Sequence, residues 1–106
     1  MESAGPTRQF VILGRTADKN GKLASLGSRK EMLRNLFNVN TSPERNGDDV
    51  LYGPGIRIEL TPGQDPVTQM LLTITEEEIG WLVTMRLAKK FQWRIVDMTT
   101  GRELQP

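Results

Sequence analysis

Short apolar runs separated by turn-forming residues predict three strands in the first three quarters of this chain. Phe10–Leu13 is a run of four apolar residues that ends at Gly14, a pattern typical of a strand. Ile56–Leu60 alternates apolar and charged residues, as a strand with one buried face does, and Met70–Ile74 nearly repeats the alternation. Turn-forming residues fill Thr61–Pro66 between them, so we expect these two strands to pair as a hairpin.

A capping motif predicts the start of a first helix. Ser28-Arg29-Lys30-Glu31 has the S-x-x-E pattern, in which the serine hydroxyl accepts the third backbone N–H and the glutamate accepts the serine N–H. We expect a helix from about Arg29 to Asn38, because its apolar residues fall on one stripe, formed by Met32, Leu33, Leu36 and Phe37. Before it, Asn20-Gly21 is a hairpin turn signal that would pair Lys22–Leu26 with the first strand.

The second helix has the clearest signals in the chain. Thr75-Glu76-Glu77-Glu78 matches the capping motif again, and Ile74 with Ile79 provides the apolar pair that often flanks it. Three glutamates in a first turn also suit the positive end of the helix dipole. We expect a helix over Glu76–Phe91, followed by a strand over Trp93–Met98.

These elements predict one α+β domain over residues 9–104, because a chain of 106 residues is long enough for one hydrophobic core and too short for two. The order β-α-β-β-α-β is that of the ferredoxin-like sandwich, a four-stranded antiparallel sheet with two helices on one face. Residues 1–8 are polar and contain Gly and Pro, so we expect a disordered tail there. Asn38–Asp49 is rich in Asn, Ser, Pro, Gly and Asp and is expected to be a surface loop.

The composition excludes several kinds of chemistry. The chain has no cysteine and no histidine, which rules out a thiol nucleophile, an imidazole base and a Cys or His zinc site. We therefore predict no catalytic residue set, no cofactor and no metal site, although an enzyme that uses carboxylates or Tyr52 stays open. The lack of cysteine and of a leader-like start favours a cytoplasmic location. No apolar run approaches the ~20 residues that a membrane helix needs, so we expect no membrane partner.

Charge is unevenly distributed although the formal net charge is only +1. Residues 1–40 contain seven Lys or Arg against three Asp or Glu, residues 41–80 two against eight, and residues 81–106 five against two. The pattern is compatible with ordinary solvated surfaces or with a basic patch that binds an anionic partner.

The apolar side of the second helix is wider than one sheet face requires. It spans about 200° of the helix, whereas a stripe of ~100° is typical of a helix that covers a sheet. We therefore predict an interface at Trp81, Met85 and Ala88, which could hold a second copy in a homodimer or another protein partner. The alternative is that residues 38–49 or a tail cover Trp81.

The basic start of the first helix is a candidate anion site. Ser28, Arg29, Lys30 and Arg34 combine a hydroxyl and three cations with a helix N-terminus, where free N–H groups attract phosphate. An anionic ligand or a nucleic-acid backbone would be the partner. The alternative is that Ser28 only caps the helix, since no phosphate-binding loop motif accompanies it.

The glycine-proline segment Tyr52-Gly53-Pro54-Gly55 is a candidate ligand loop. Two glycines allow a ligand to approach the backbone closely, and the proline stiffens the loop. A rigid turn that leads into the next strand explains the same residues. The sheet of an RNA recognition motif needs stacking aromatics, and Phe10 alone could stack here, which disfavours that mode of RNA binding.

Residues 52–102 resemble a group of small uncharacterised bacterial proteins. The shared features are the Tyr52–Gly55 turn, a glutamate-rich start to a helix that contains Trp81, and a closing segment with Trp93, Asp97 and Thr100-Gly101-Arg102. The resemblance covers about half the chain and implies no activity. Our leading prediction is therefore a small non-enzymatic binding module that associates with itself, and the alternatives are an anion binder at Ser28 and a small enzyme.

Overall fold

A computed structural model describes residues 8–14 and 25–104 of the chain. In chain order its elements are β1 (Arg8–Leu13), α1 (Arg29–Phe37), β2 (Ser42–Pro43), β3 (Val50–Gly53), β4 (Ile56–Leu60), β5 (Gln69–Ile74), α2 (Glu77–Phe91) and β6 (Arg94–Asp97). Residues 1–7 of the predicted tail and the predicted turn at Asn20-Gly21 lie outside the described residues. Arg8 was predicted to belong to the tail and is instead the first residue of β1. Leu26, the last residue of the segment predicted to pair with the first strand, donates its N–H to the Val67 carbonyl, because β5 and β6 occupy both sides of β1. The strands predicted in β1, β4, β5 and β6 are confirmed.

All neighbouring strands pair antiparallel in one sheet with the order β2-β3-β4-β5-β1-β6. The predicted hairpin of β4 and β5 is present, with Ile58 opposite Leu72. β1 lies between β5 and β6, so both neighbours of this first strand come from residues 69–97, far along the chain. Long-range pairing therefore defines the centre of the sheet.

The prediction of a four-stranded sheet is wrong, because the sheet has six strands. The two additional strands, β2 and β3, lie in the segments that were predicted to be a surface loop and a glycine-rich turn. Leu51 is the physical reason: its side chain is fully buried and holds β3 beside β4, where it lies opposite Ile58. β2 contains Pro43 and is two residues long, as is common for a strand at a sheet edge.

One face of the sheet forms the core together with both helices. The alternate residues Phe10 and Ile12 of β1 are fully buried, and so are Ile58 of β4 and Leu72 of β5. Leu36 of α1 belongs to the same cluster, as do the following buried residues of α1, α2 and β6: Met32, Leu87, Ala88 and Ile95. We call the opposite face the open face. It carries the side chains that alternate with the core-facing ones along β3, β4, β5, β1 and β6. These include Tyr52, Arg57, Glu59, Leu71, Thr73, Gln9, Val11 and Val96.

The start of α1 is as predicted. The Ser28 side chain accepts the Glu31 N–H at 3.1 Å, and the Glu31 carboxylate accepts the Ser28 N–H at 3.0 Å. The backbone hydrogen bond from Ser28, with a smaller contribution from its side chain, lowers the pKa of Glu31 below its usual value of 4.5. Local sequence is therefore sufficient to define this helix end.

The start of α2 differs from the prediction. Glu76 is the N-cap and makes no side-chain capping bond, so the capping motif at Thr75 and Glu78 is not formed. Instead the Gly55 carbonyl accepts the N–H groups of Thr75 at 2.8 Å and Glu76 at 3.2 Å, which fixes the chain just before the helix. Neither described helix is long and apolar enough to cross a membrane.

Candidate functional site

The predicted ligand loop packs against the start of α2. A Cβ atom on Gly55 would lie 2.6 Å from the Gly80 nitrogen, and one on Gly80 would lie 2.5 Å from the Gly55 oxygen. Gly55 also has a φ of +71°, a conformation that favours glycine. A Cβ on Gly53 would collide with the Thr41 side chain. The glycines therefore serve close packing, and the arrangement supports the interpretation of Tyr52–Gly55 as a rigid turn.

Tyr52 itself lies on β3 and belongs to the open face. It is 47% exposed and pairs across strands with Arg57, whose side chain lies on the same face. Pro54, by contrast, borders a cleft on the helix side of the sheet. The four residues of the predicted loop are therefore divided between two surfaces and do not form one ligand site.

The predicted anion site at the start of α1 is filled by carboxylates of the chain itself. The Arg29 N–H donates to the Asp65 carboxylate at 3.0 Å, at the position where an anion would bind a helix N-terminus. The Arg29 guanidinium forms an ion pair with Asp49. Lys30 and Arg34 are exposed and make no ion pair within the described residues. Sequence reasoning missed these contacts because Asp49 and Asp65 are 20 and 36 residues from Arg29.

The predicted interface residues on α2 lie in three different environments. Trp81 is half-buried and packs edge-on against Phe10, with ring centroids 5.5 Å apart. The Arg8 guanidinium lies 4.7 Å from the Trp81 ring centroid, a cation–π contact that covers the indole. Met85 is half-buried, and Ala88 is 1% exposed and part of the core. The exposed apolar side chains of α2 are instead Ile79 and Leu82.

The open face has an apolar row that was not predicted from the sequence. Val96, Val11 and Leu71 lie side by side in one row across β6, β1 and β5, and we call these three residues the apolar strip. All three are half-buried. A shallow groove of about 330 Å³ crosses the same face, bordered by Met98, which is 58% exposed, and by Pro62.

Charged side chains of both signs flank the apolar strip. Glu59 of β4 lies opposite Leu71 and so extends the row of the apolar strip by one residue. Arg57 lies two residues earlier on the same strand. Their side chains form a long ion pair of 3.6 Å between the Arg57 Nε and the Glu59 carboxylate. The Arg57 Nε is buried and has no hydrogen-bond partner within the described residues.

Both edges of the sheet are protected from pairing with further strands. At one edge, β2 is short and contains Pro43. At the other, the Asp97 carboxylate accepts the N–H groups of Thr99 and Thr100, and this turn leads the chain back so that Glu103 pairs with Val96 of β6. The closing Thr-Gly-Arg segment is therefore explained by edge protection, which leaves the faces as the surfaces for association.

A second cleft lies on the helix side, between α2 and the turn that follows α1. Val83, Arg86, Leu87 and Lys90 of α2 form one wall, and Val39, Asn40 and Pro54 form the other. Its volume is about 170 Å³. We call it the basic cleft.

The acidic side chains of the described residues are dispersed. Across residues 8–14 and 25–104, no three Asp or Glu side chains come together as a metal-binding group. Comparison of the chain with models of known protein families, with curated proteins and with solved structures found no match. Its function is therefore argued from the surfaces described above.

Proposed function

We propose that this protein is a small non-enzymatic binding module that forms a homodimer through the open face of its sheet. The observation that carries the proposal is the apolar strip of Val96, Val11 and Leu71, which crosses β6, β1 and β5 on that face with no described helix packed on it. Stacked sheets pack about 10 Å apart through such side chains. The absence of histidine and cysteine supports a binding role over catalysis.

We also propose that the fold is a ferredoxin-like architecture to which two strands, β2 and β3, are added at one edge. β1 precedes α1, and β4 is the first strand after α1 apart from the added β2 and β3; β1 and β4 are separated in the sheet by β5. β5 and β6, which flank α2, are separated by β1. This double split βαβ arrangement is the pattern of that architecture, and it leaves one sheet face without helices. We place the protein in the cytoplasm because it has no cysteine.

A second copy of this chain is the occupant that the charges favour. A two-fold axis brings the same surface of each copy together, so a self-binding face needs opposite charges near its centre. Arg57 and Glu59 provide them on adjacent rows of the open face, where each side chain is about one-third exposed. A strongly acidic or basic partner would match only one of these two groups.

The size of the face indicates a weak dimer. Four strands spaced about 4.8 Å apart, with about five residues each, give a projected area on the order of 350 Å² per copy. Specific complexes of standard size bury about 800 Å² of accessible surface per partner, so this interface is smaller than the standard size. We therefore expect dissociation in the micromolar range and an equilibrium between monomer and dimer.

Sedimentation velocity over a concentration series tests the proposal. The wild-type protein should shift from monomer to dimer between about 1 and 500 µM, and Leu71→Lys should stay monomeric, since it places a charge in the apolar strip. Lys at this position lies opposite Glu59, which favours folding. Leu82→Lys on α2, where the leucine is 66% exposed, is the matched control and should dimerise as the wild type does.

Two results would refute the proposal. One is a wild-type protein that stays monomeric throughout the series, and the other is a dimer that Leu82→Lys dissociates and Leu71→Lys does not. Circular dichroism checks the fold of each variant. If Leu71→Lys does not fold, Met98→Lys replaces it, because Met98 is 58% exposed at the border of the same groove.

A further inference from the structure

The basic cleft combines an apolar interior with two cations that have no acidic partner. Val83, Arg86 and Lys90 are spaced by three and four residues, which puts them on the same face of α2. Neither cation lies within 4.0 Å of a carboxylate among the described residues. Like charges four residues apart on a helix repel each other, and a bound anion would relieve that repulsion.

The opposite wall adds apolar surface and an amide. Val39 and Asn40 form the turn after α1, in which the Leu36 carbonyl accepts the Val39 N–H at 3.0 Å. Asn40 has a φ of +62°, and its side-chain amide makes no hydrogen bond within the described residues. Pro54 borders the same wall, where the close contact between Gly55 and Gly80 holds its turn against α2.

The volume of the basic cleft sets the size of a ligand. At about 170 Å³ it is close to the ~150 Å³ cavity that accommodates benzene in a protein interior. Val83 and Leu87 offer an apolar wall to such a body, and Arg86 and Lys90 offer charge-assisted hydrogen bonds to an anionic head. A purely ionic site would not need the apolar wall, and a purely apolar site would not carry two cations without an acidic partner; the Lys90 ammonium does lie 5.9 Å from the Phe91 ring centroid.

We propose that the basic cleft binds a small monocarboxylate with an apolar body of about six carbons. The carboxylate lies between Arg86 and Lys90, and the apolar body lies against Val83, Leu87 and Pro54. This site is on the helix side of the sheet and is independent of the proposed dimer interface on the open face. It also differs from the sequence-predicted anion site at Ser28 and Arg29, which carboxylates of the chain fill.

Titration of the isotope-labelled protein with benzoate, followed by backbone amide NMR shifts, tests the proposal. Benzoate should shift the signals of Asn40, Val83 and Arg86 with millimolar affinity, as expected for a ligand of about nine heavy atoms. Benzamide has the same shape without the charge, and inorganic phosphate has charge without the apolar body. Each should bind at least about five times more weakly than benzoate.

Matched variants assign the effect to the cleft. Arg86→Gln and Lys90→Gln should each weaken benzoate binding about five- to tenfold, because each removes a charged hydrogen-bond donor. Lys89→Gln changes the same charge on the same helix outside the cleft lining and should leave the affinity within about twofold. All three residues are exposed, so the variants should fold.

Several outcomes would overturn the proposal. The absence of shifts at Asn40, Val83 and Arg86 with 20 mM benzoate, roughly the weak limit for such a ligand, shows that the cleft does not bind it. If benzamide binds as tightly as benzoate, the cations do not contribute to binding. If phosphate binds as tightly as benzoate, the apolar wall does not contribute. An equal loss in Lys89→Gln and Arg86→Gln indicates diffuse attraction to the helix instead of a site.

Discussion

Substitution of Gly55 by alanine should destabilise the fold much more than the same change at Gly63. The two glycines have nearly the same backbone conformation, with φ of +71° at Gly55 and +73° at Gly63. A Cβ at Gly63 would meet no atom within 4 Å. A Cβ at Gly55 would lie 2.6 Å from the backbone nitrogen of Gly80. The comparison therefore separates the cost of the contact from the cost of the conformation.

The magnitude follows from two contributions at Gly55 that Gly63 lacks. Both variants pay about 1–2 kcal/mol for alanine in the left-handed region, offset in part by about 0.4–1 kcal/mol from the stiffer unfolded chain. At Gly55 the collision with α2 adds about 1–3 kcal/mol. Displacement of its carbonyl also weakens the hydrogen bonds from Thr75 and Glu76, at about 1 kcal/mol each. We expect Gly55→Ala to cost about 3–5 kcal/mol more than Gly63→Ala.

Urea unfolding followed by circular dichroism and tryptophan fluorescence measures this difference in the free energy of unfolding. A domain of this size typically has a total stability of about 5–15 kcal/mol, so the expected loss is readily resolved. If the two variants lie within about 0.5 kcal/mol of each other, Gly55 is not packed on Gly80. The turn at Tyr52–Gly55 would then need another explanation, such as a ligand loop.

Three further substitutions test other parts of the account. Ser28→Ala should cost about 1 kcal/mol in urea unfolding at pH 7, because it removes the capping hydroxyl. The stability from Glu31 is complete above pH 4.5 and is lost as the pH falls through its lowered pKa; the variant keeps the Ser28 backbone N–H, which is the larger cause of that lowering, so it should retain most of this acid-dependent loss, and a variant without the loss would contradict this. Asp49→Asn should cost about 0.5–1 kcal/mol at low salt and less in 1 M NaCl, since its ion pair with Arg29 is partly exposed, and an effect independent of salt would argue against that pair. Leu51→Ala should cost about 2–5 kcal/mol by thermal unfolding if β3 is part of the sheet, whereas a cost below ~1 kcal/mol would place it in a loose loop.

Features that depend on neighbouring residues were predictable from the sequence. The capping motif of Ser28 and Glu31 spans three residues and forms as expected. The alternation in β4 and β5 follows from a period of two along each strand, and it identified the buried face of both. β3 was missed because Val50–Gly53 is short and runs directly into Pro54, so its apolar signal is one buried leucine.

Features that depend on distant residues were not predictable. The acceptor for the Arg29 N–H comes from Asp65, in the connection between β4 and β5, and no local pattern indicates it. The predicted capping motif at Thr75 does not form, because a carbonyl from Gly55 holds the backbone there. Trp81 lies at the edge of the α2 stripe as the helical spacing indicated, but Arg8 covers its ring. Tertiary contacts, not propensity, define both candidate binding surfaces.

The measurement that tests the proposed dimer most directly is an isotope-filtered NOE experiment on a mixture of labelled and unlabelled protein. It detects only contacts between two copies. If the open face is the interface, intermolecular NOEs appear among the methyl groups of Val11, Leu71 and Val96, which are half-buried in one row of that face. Intermolecular NOEs confined to Ile79 and Leu82 of α2, or none at millimolar protein, would contradict it.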